Sequence, residues 1–159
     1  MRKRTLFYVP LYCILAGIIS YYVFIYLGGR FFTVEQADGV FAADETRVWI
    51  TRIVIFVVAF LIGGLVFFRK MTRKELIVSA SIMTGIYLLV VLTAWILVMA
   101  RNEVSTFFAY VSLNMVWAEI VSQAIFSITQ NVWLGMIVGS FTPCLFLLFG
   151  KRSGKTYTT

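Results

Sequence analysis

Histidine is absent from this chain, and among its 159 residues there are only two cysteines, two prolines and two aspartates. Each scarcity removes a class of chemistry. Without histidine the commonest general base and the commonest metal ligand are missing. The aspartates, Asp38 and Asp44, fall in one short segment, so they cannot form an aspartyl pair between two membrane helices. Cys13 and Cys144 stand alone inside apolar runs. A metal or redox site would need clustering such as CxxC, and neither thiol has a neighbouring base to activate it. Both read as buried, inert thiols. There is no glycine-rich phosphate loop, no internal repeat and no low-complexity segment. The expectation is a protein that is not an enzyme, with no cofactor and no metal site.

Charge is scarce as well, at 13% of residues, against 61% hydrophobic and a mean hydropathy of +0.93. A soluble domain of this length has too much surface for its volume to hide so much apolar area. Lipid removes that difficulty by solvating outward-facing side chains. The expected fold is therefore all-α: one polytopic helical bundle in a membrane, residues 1–159 forming a single membrane domain. The net charge of +7 does not point to nucleic acid, because the lysines and arginines gather at the ends of apolar runs and not on a face interleaved with aromatics.

Four runs reach the roughly 20 residues needed to cross a hydrocarbon core: about 5–27, 48–68, 76–100 and 128–150. The first is too long for a signal-peptide core and lacks a small-residue cleavage site, so it is expected to stay as an anchor. Thr72 with Glu75, and Ser127 with Gln130, have the spacing of a capping box, in which a hydroxyl and a carboxylate or amide satisfy reciprocal backbone N–H groups. These would open the third and last runs.

The stretch 104–126 is ambiguous. It is long enough to span, yet Ser105, Thr106, Ser112, Asn114, Glu119, Ser122 and Gln123 make it a poor transmembrane segment. Charge counting decides between four and five spans. With four, Arg2, Lys3, Arg4, Arg69, Lys70, Arg73, Lys74, Lys151, Arg152 and Lys155 share the cytoplasmic side, and Arg30, Arg47 and Arg101 lie outside. A fifth span sends the last three cations out and nearly abolishes the bias. The positive-inside rule prefers four spans plus an interfacial or re-entrant helix at 104–126, with five spans as the alternative. Trp49, Trp95 and Trp133 then fall together at the outer interface, joined by Trp117 if its helix lies in or dips from that interface. The acidic loop between Gly29 and Arg47, bearing Glu35, Asp38, Asp44 and Glu45, suits an extracytoplasmic position and matches no calcium loop.

The candidate site follows from cost. A carboxylate in a mostly apolar helix is expensive unless it faces a cavity, a partner or water. At 100° per residue, Ser105, Ser112, Glu119 and Gln123 share one narrow stripe. Glu119, Gln123, Ser112, Asn114 and Arg52 are thus the candidates for a substrate pathway or partner contact. Arg52 has two readings: its charge snorkels to the interface, or it pairs with Glu119. Gly135 and Gly139 form a GxxxG whose face continues to Pro143, and Ala59 with Gly63 and Ser81 with Gly85 repeat the small-residue spacing, so Gly63 and Gly85 are further packing candidates.

The function these residues point to is membrane transport: a transporter, a channel or the membrane subunit of a transport system for a small solute or ion. The competing expectation is a regulatory or assembly subunit, inert alone, that binds a larger membrane protein. Expected partners are the lipid bilayer and either another membrane protein or a second copy of the chain, with no nucleic acid. The expected location is the plasma (inner) membrane, multi-pass, with both termini cytoplasmic.

Overall fold

The computed structural model of the chain describes residues 3–35, 41–99 and 113–151. Almost all of them are helical. A 3-10 turn, Lys3–Phe7, leads into α1 (Tyr8–Leu27), where Pro10 sits in the first turn and its missing N–H costs nothing. A hairpin of two short antiparallel strands, β1 (Thr33–Glu35) and β2 (Phe41–Ala43), follows. Next come α2 (Glu45–Ile62), prolonged by a π-helical turn Gly63–Phe68, and α3 (Arg73–Met99). A 3-10 turn, Leu113–Ala118, precedes α4 (Glu119–Thr129), and α5 (Val132–Gly139) runs into the 3-10 segment Thr142–Phe149.

Four of these helices are long and apolar enough to cross a membrane: Thr5–Leu27, Glu45–Phe68, Arg73–Met99 and Val132–Phe149. The fifth, Met115–Thr129, is shorter. The start of α2 and the turn between α4 and α5 mark one end of the bundle, here the upper end. The turn between α2 and α3 marks the lower end. There the Lys151 N–H donates to the Met71 carbonyl at 3.0 Å, and the Arg73 N–H donates to the Lys151 carbonyl at 3.2 Å, so the last long apolar helix finishes where α3 begins. Met99 and Thr129 therefore both stand at the upper end of the bundle. A fifth span has no helix to form it among the described residues.

The helix ends explain themselves locally. Asp44 caps α2 by accepting from the Thr46 and Arg47 N–H groups at 3.0 and 3.2 Å. The capping box expected before α3 is present: the Thr72 N–H donates to Glu75 at 3.0 Å and the Glu75 N–H donates to the Thr72 hydroxyl at 3.3 Å.

The second expected box is not there. Ser127 and Gln130 end α4 instead of opening the last span, which begins at Val132 and not near 128. Gln130 takes a left-handed φ of 53°, and Asn131 caps α5 through the Leu134 N–H at 3.1 Å. The reason is geometric: a left-handed residue after a helix reverses the chain, and the polar pair Gln130–Asn131 provides both the stop and the next cap.

The last of the four long apolar helices is not one continuous α-helix. Pro143 has no N–H for the Gly139 carbonyl four residues back. The Thr142 hydroxyl takes that carbonyl at 2.6 Å, and the chain continues as a tighter 3-10 run. Where α1 starts, another buried hydroxyl does similar service: Ser79 accepts from the Val9 N–H at 3.1 Å and donates to the Leu6 carbonyl at 2.7 Å. With no water in an apolar interior, backbone groups need such partners.

The core runs from the middle of the bundle down to Val9, Met71 and Leu76 at its lower end, and its largest buried side chain is Trp117, with 0% exposure. Its ring stacks on Phe56 and Phe146, and its N–H points at the Tyr87 hydroxyl, 3.4 Å away. Phe56 and Tyr87 are each close to the middle of their helices. Trp117 is thus a core residue and does not join Trp49, Trp95 and Trp133 toward the upper end. Below it, Tyr12, Phe60, Phe68 and Phe146 pack edge-on or stacked. The 3-10 turn carrying Trp117 lies close along α1, whose buried face there is made of small residues, Cys13, Ala16, Gly17 and Ser20. Small side chains let backbones approach without the gaps that cost dispersion contacts.

Candidate functional site

Arg52 and Glu119 come from different elements and meet. Arg52 lies two turns into α2, where its neighbours are aliphatic and aromatic. Glu119 is the first residue of α4, so its carboxylate sits at a helix N-terminus, where the peptide dipoles favour negative charge. Arg52 Nη2 is 3.2 Å from Glu119 Oε1. Gln123, one turn further along α4, donates its amide N–H to the same oxygen at 3.0 Å. The guanidinium also lies over the Phe24 ring of α1, 5.2 Å from its centroid, a favourable position for a cation. One network therefore ties three helices together.

The pair is only partly shielded, with side-chain exposures of 19% for Arg52 and 37% for Glu119. Arg52 Nε is buried and has no hydrogen-bond partner, so the guanidinium is under-satisfied where it stands. Such groups are uncommon. Arg52 also separates two cavities. One, of about 500 Å³, opens between α2 and α4 and is lined by Trp49, Arg52, Gln123, Ser127 and Gln130 among others. The other, of about 370 Å³, lies under the β-hairpin beside Phe24, Thr33 and Ala43. Both are lined by Ala43, Val48 and Arg52, from the end of the β-hairpin and the first two turns of α2.

Of the residues singled out from sequence, Arg52, Glu119 and Gln123 are brought together. Ser105 and Ser112 lie outside the described residues. Asn114 falls in the 3-10 turn Leu113–Ala118, before α4 begins. The expected single stripe through Ser112 and Glu119 assumed 100° per residue throughout. Of that stripe the described residues hold Glu119 and Gln123, one turn apart on α4 and hydrogen-bonded to each other.

Gly135 and Gly139 face α4: a Cβ at Gly135 would stand 2.5 Å from the Ser122 carbonyl oxygen, and one at Gly139 would overlap the Ser122 side chain. The two helices thus form a tight antiparallel hairpin. Pro143 is buried at the start of the 3-10 run. A Cβ at Gly63 would meet the rings of Tyr12 and Phe146 at 2.7 Å. Gly85 departs from expectation, since nothing stands within 4 Å of its missing Cβ. It is not a packing contact among the described residues.

Sequence reasoning missed Trp117, Ser79 and the small face of α1 as structural features. The signal for the last was present in the three- and four-residue spacing of Cys13, Ala16, Gly17 and Ser20. Among the described residues no group of three His, Cys, Asp or Glu is placed to hold a metal. Near the hairpin, Asp44 is occupied as a cap and pairs with Arg47 at 3.1 Å. The class these features define is a helical bundle with four membrane-length apolar helices and one half-length helix that carries an ion pair. Comparison with protein-family models, with curated proteins and with solved structures finds no match.

Proposed function

We propose that this is an integral membrane protein of four spans with a re-entrant fifth helix, and that the Arg52–Glu119–Gln123 network binds a small polar or ionic solute on a transport route. The upper end is the extracytoplasmic side, and both termini are cytoplasmic. The basic bias described above supports that orientation, and the plasma (inner) membrane is the setting it suits. The observation that carries the transport reading is the ion pair itself. Two charges within the apolar length of the bundle are expensive to keep and are retained where they face a cavity or water. Here Arg52 and Gln123, both partners of Glu119, line a cavity of about 500 Å³. A 3-10 turn midway along the bundle supports the same reading, because irregular backbone at membrane depth occurs where protein buries it or a cavity adjoins it.

Among the described residues Trp117, Phe56, Phe60, Phe68 and Phe146 fill the interior below the site with packed rings, which favours a carrier that changes conformation over a permanently open channel. The test is flux. Proteoliposomes holding the purified protein are diluted into iso-osmotic potassium chloride, sodium chloride, potassium acetate or glycine, and swelling is read by light scattering. The proposal expects entry of at least one solute, absent from empty liposomes and strongly reduced by Glu119→Gln. Vesicles as tight as empty ones for all four would discard a lone carrier of such solutes.

That result would favour the competing reading, a subunit that works only on a larger membrane partner. One observation speaks for it. Between α1 and α2, which touch each other little, runs an almost wholly apolar groove of about 410 Å³, from Tyr12 and Phe67 up to Val23 and Val54. An added apolar helix fits such a groove. Co-purification of one stoichiometric membrane protein, lost when Ala16 and Val58 are made bulky or polar, would support it.

A further inference from the structure

The lower end carries a second polar feature, independent of the Arg52 network. The π-helical turn Gly63–Phe68 ends α2 and presents Leu65 and Val66 outward. Arg69 and Lys70 follow at once. Lys151 comes from the far end of the chain, and the backbone bonds with Met71 and Arg73 described above hold it there. Together Leu65, Val66, Arg69, Lys70 and Lys151 line a notch of about 320 Å³.

The notch has two chemistries. Three cations line it and, among the described residues, no carboxylate does. The carboxylate nearby in sequence, Glu75, is occupied by the Thr72 N–H and hydroxyl, each at 3.0 Å. The cations therefore repel one another and attract an anion. The other wall is aliphatic, continuous with the outward face of a membrane-length helix. A free phosphate would satisfy the cations and leave that wall bare, whereas a lipid meets both.

We infer that this notch binds an anionic phospholipid of the lower-side leaflet, its phosphate among Arg69, Lys70 and Lys151 and its first acyl methylenes against Leu65 and Val66. The inference rests on the membrane reading above but on neither transport nor partner binding. Basic notches between helices on the cytoplasmic side are the usual setting for such headgroups.

Retained lipid is counted by native mass spectrometry on the purified full chain in detergent, supplied with phosphatidylglycerol, phosphatidylcholine or glycerol phosphate. Phosphatidylglycerol should be retained about tenfold over phosphatidylcholine, and Lys70→Gln or Lys151→Gln should each weaken it about fivefold, the effect of one cation at a membrane surface. Lys74→Gln, on the same end but outside the notch, should change retention by less than about twofold. Equal loss from Lys74→Gln would overturn the inference in favour of diffuse attraction. Equal retention of the two lipids would overturn it outright. Displacement of the lipid by equimolar glycerol phosphate would show an anion site without an acyl component and overturn the lipid assignment. The protein used is first recovered from carbonate-washed membranes, so none of these failures touches the four-span reading.

Discussion

Arg52 of α2 and Glu119 of α4 are joined at 3.2 Å through a single carboxylate oxygen that also accepts from Gln123. The short helix is thereby fastened to the upper half of the bundle by charge, in a region otherwise held by apolar contact. Glu119→Gln keeps shape and hydrogen-bonding capacity but leaves Arg52 without its counter-charge. The expected cost is about 1–2 kcal/mol, below the 3–5 of a fully buried pair because Glu119 is partly exposed. The double change with Arg52→Gln should recover part of that loss. Denaturant or thermal unfolding in detergent measures it, and a neutral single variant would mean the pair does not couple the helices.

Trp117, two residues before Glu119, fixes the same segment in the core. Trp117→Ala should destabilise by about 3–5 kcal/mol, the range for emptying a large aromatic site. Trp117→Phe should cost less, since stacking on Phe56 and Phe146 survives while the N–H contact with Tyr87 is lost. In a variant with Trp49, Trp95 and Trp133 changed to Phe, the remaining indole should emit at short wavelength and resist quenching by iodide. Strong quenching would place the short helix at the surface.

The α4–α5 hairpin makes an asymmetric prediction about glycine. Gly139→Ala and Gly135→Ala should each cost about 1–3 kcal/mol through overpacking. Ser122→Gly should rescue the first in part, because the obstructing atoms at Gly139 belong to the Ser122 side chain. It should not rescue the second, where the obstacle is a backbone carbonyl. Gly85→Ala, with nothing within 4 Å, should be neutral or stabilise by up to about 1 kcal/mol from helix propensity. Equal effects at all three sites would refute the seam.

Orientation is checked by cysteine labelling in intact cells. Thr46→Cys, exposed at the upper end, should react with an impermeant maleimide added outside. Lys70→Cys, exposed at the lower end, should react only after permeabilisation. Cys13 and Cys144 belong to the lower half, Cys13 buried and Cys144 beside the Thr84 hydroxyl at 3.6 Å. Both should stay reduced and unlabelled from outside. Reaction of Lys70→Cys from outside would reverse the proposed topology.

By itself the sequence determined the helical class, the four long apolar helices to within a few residues, and the capping box at Thr72–Glu75. These are legible because run length, hydropathy and capping depend on residues close together in the chain. Gly135 and Gly139 were legible as a small-residue pair for the same reason, but their partner was not. Only the tertiary structure decided that Arg52 meets Glu119, that Trp117 packs in the core against Phe56 and Phe146, and that Lys151 stands beside Arg69 and Lys70. Each of these joins residues far apart in sequence. Their pairing is settled by how the short helix folds back along α5 and how the chain's far end is stitched to the α2–α3 turn. No local pattern encodes a fold-back of that kind, because its energy resides in contacts that exist only once the bundle has assembled.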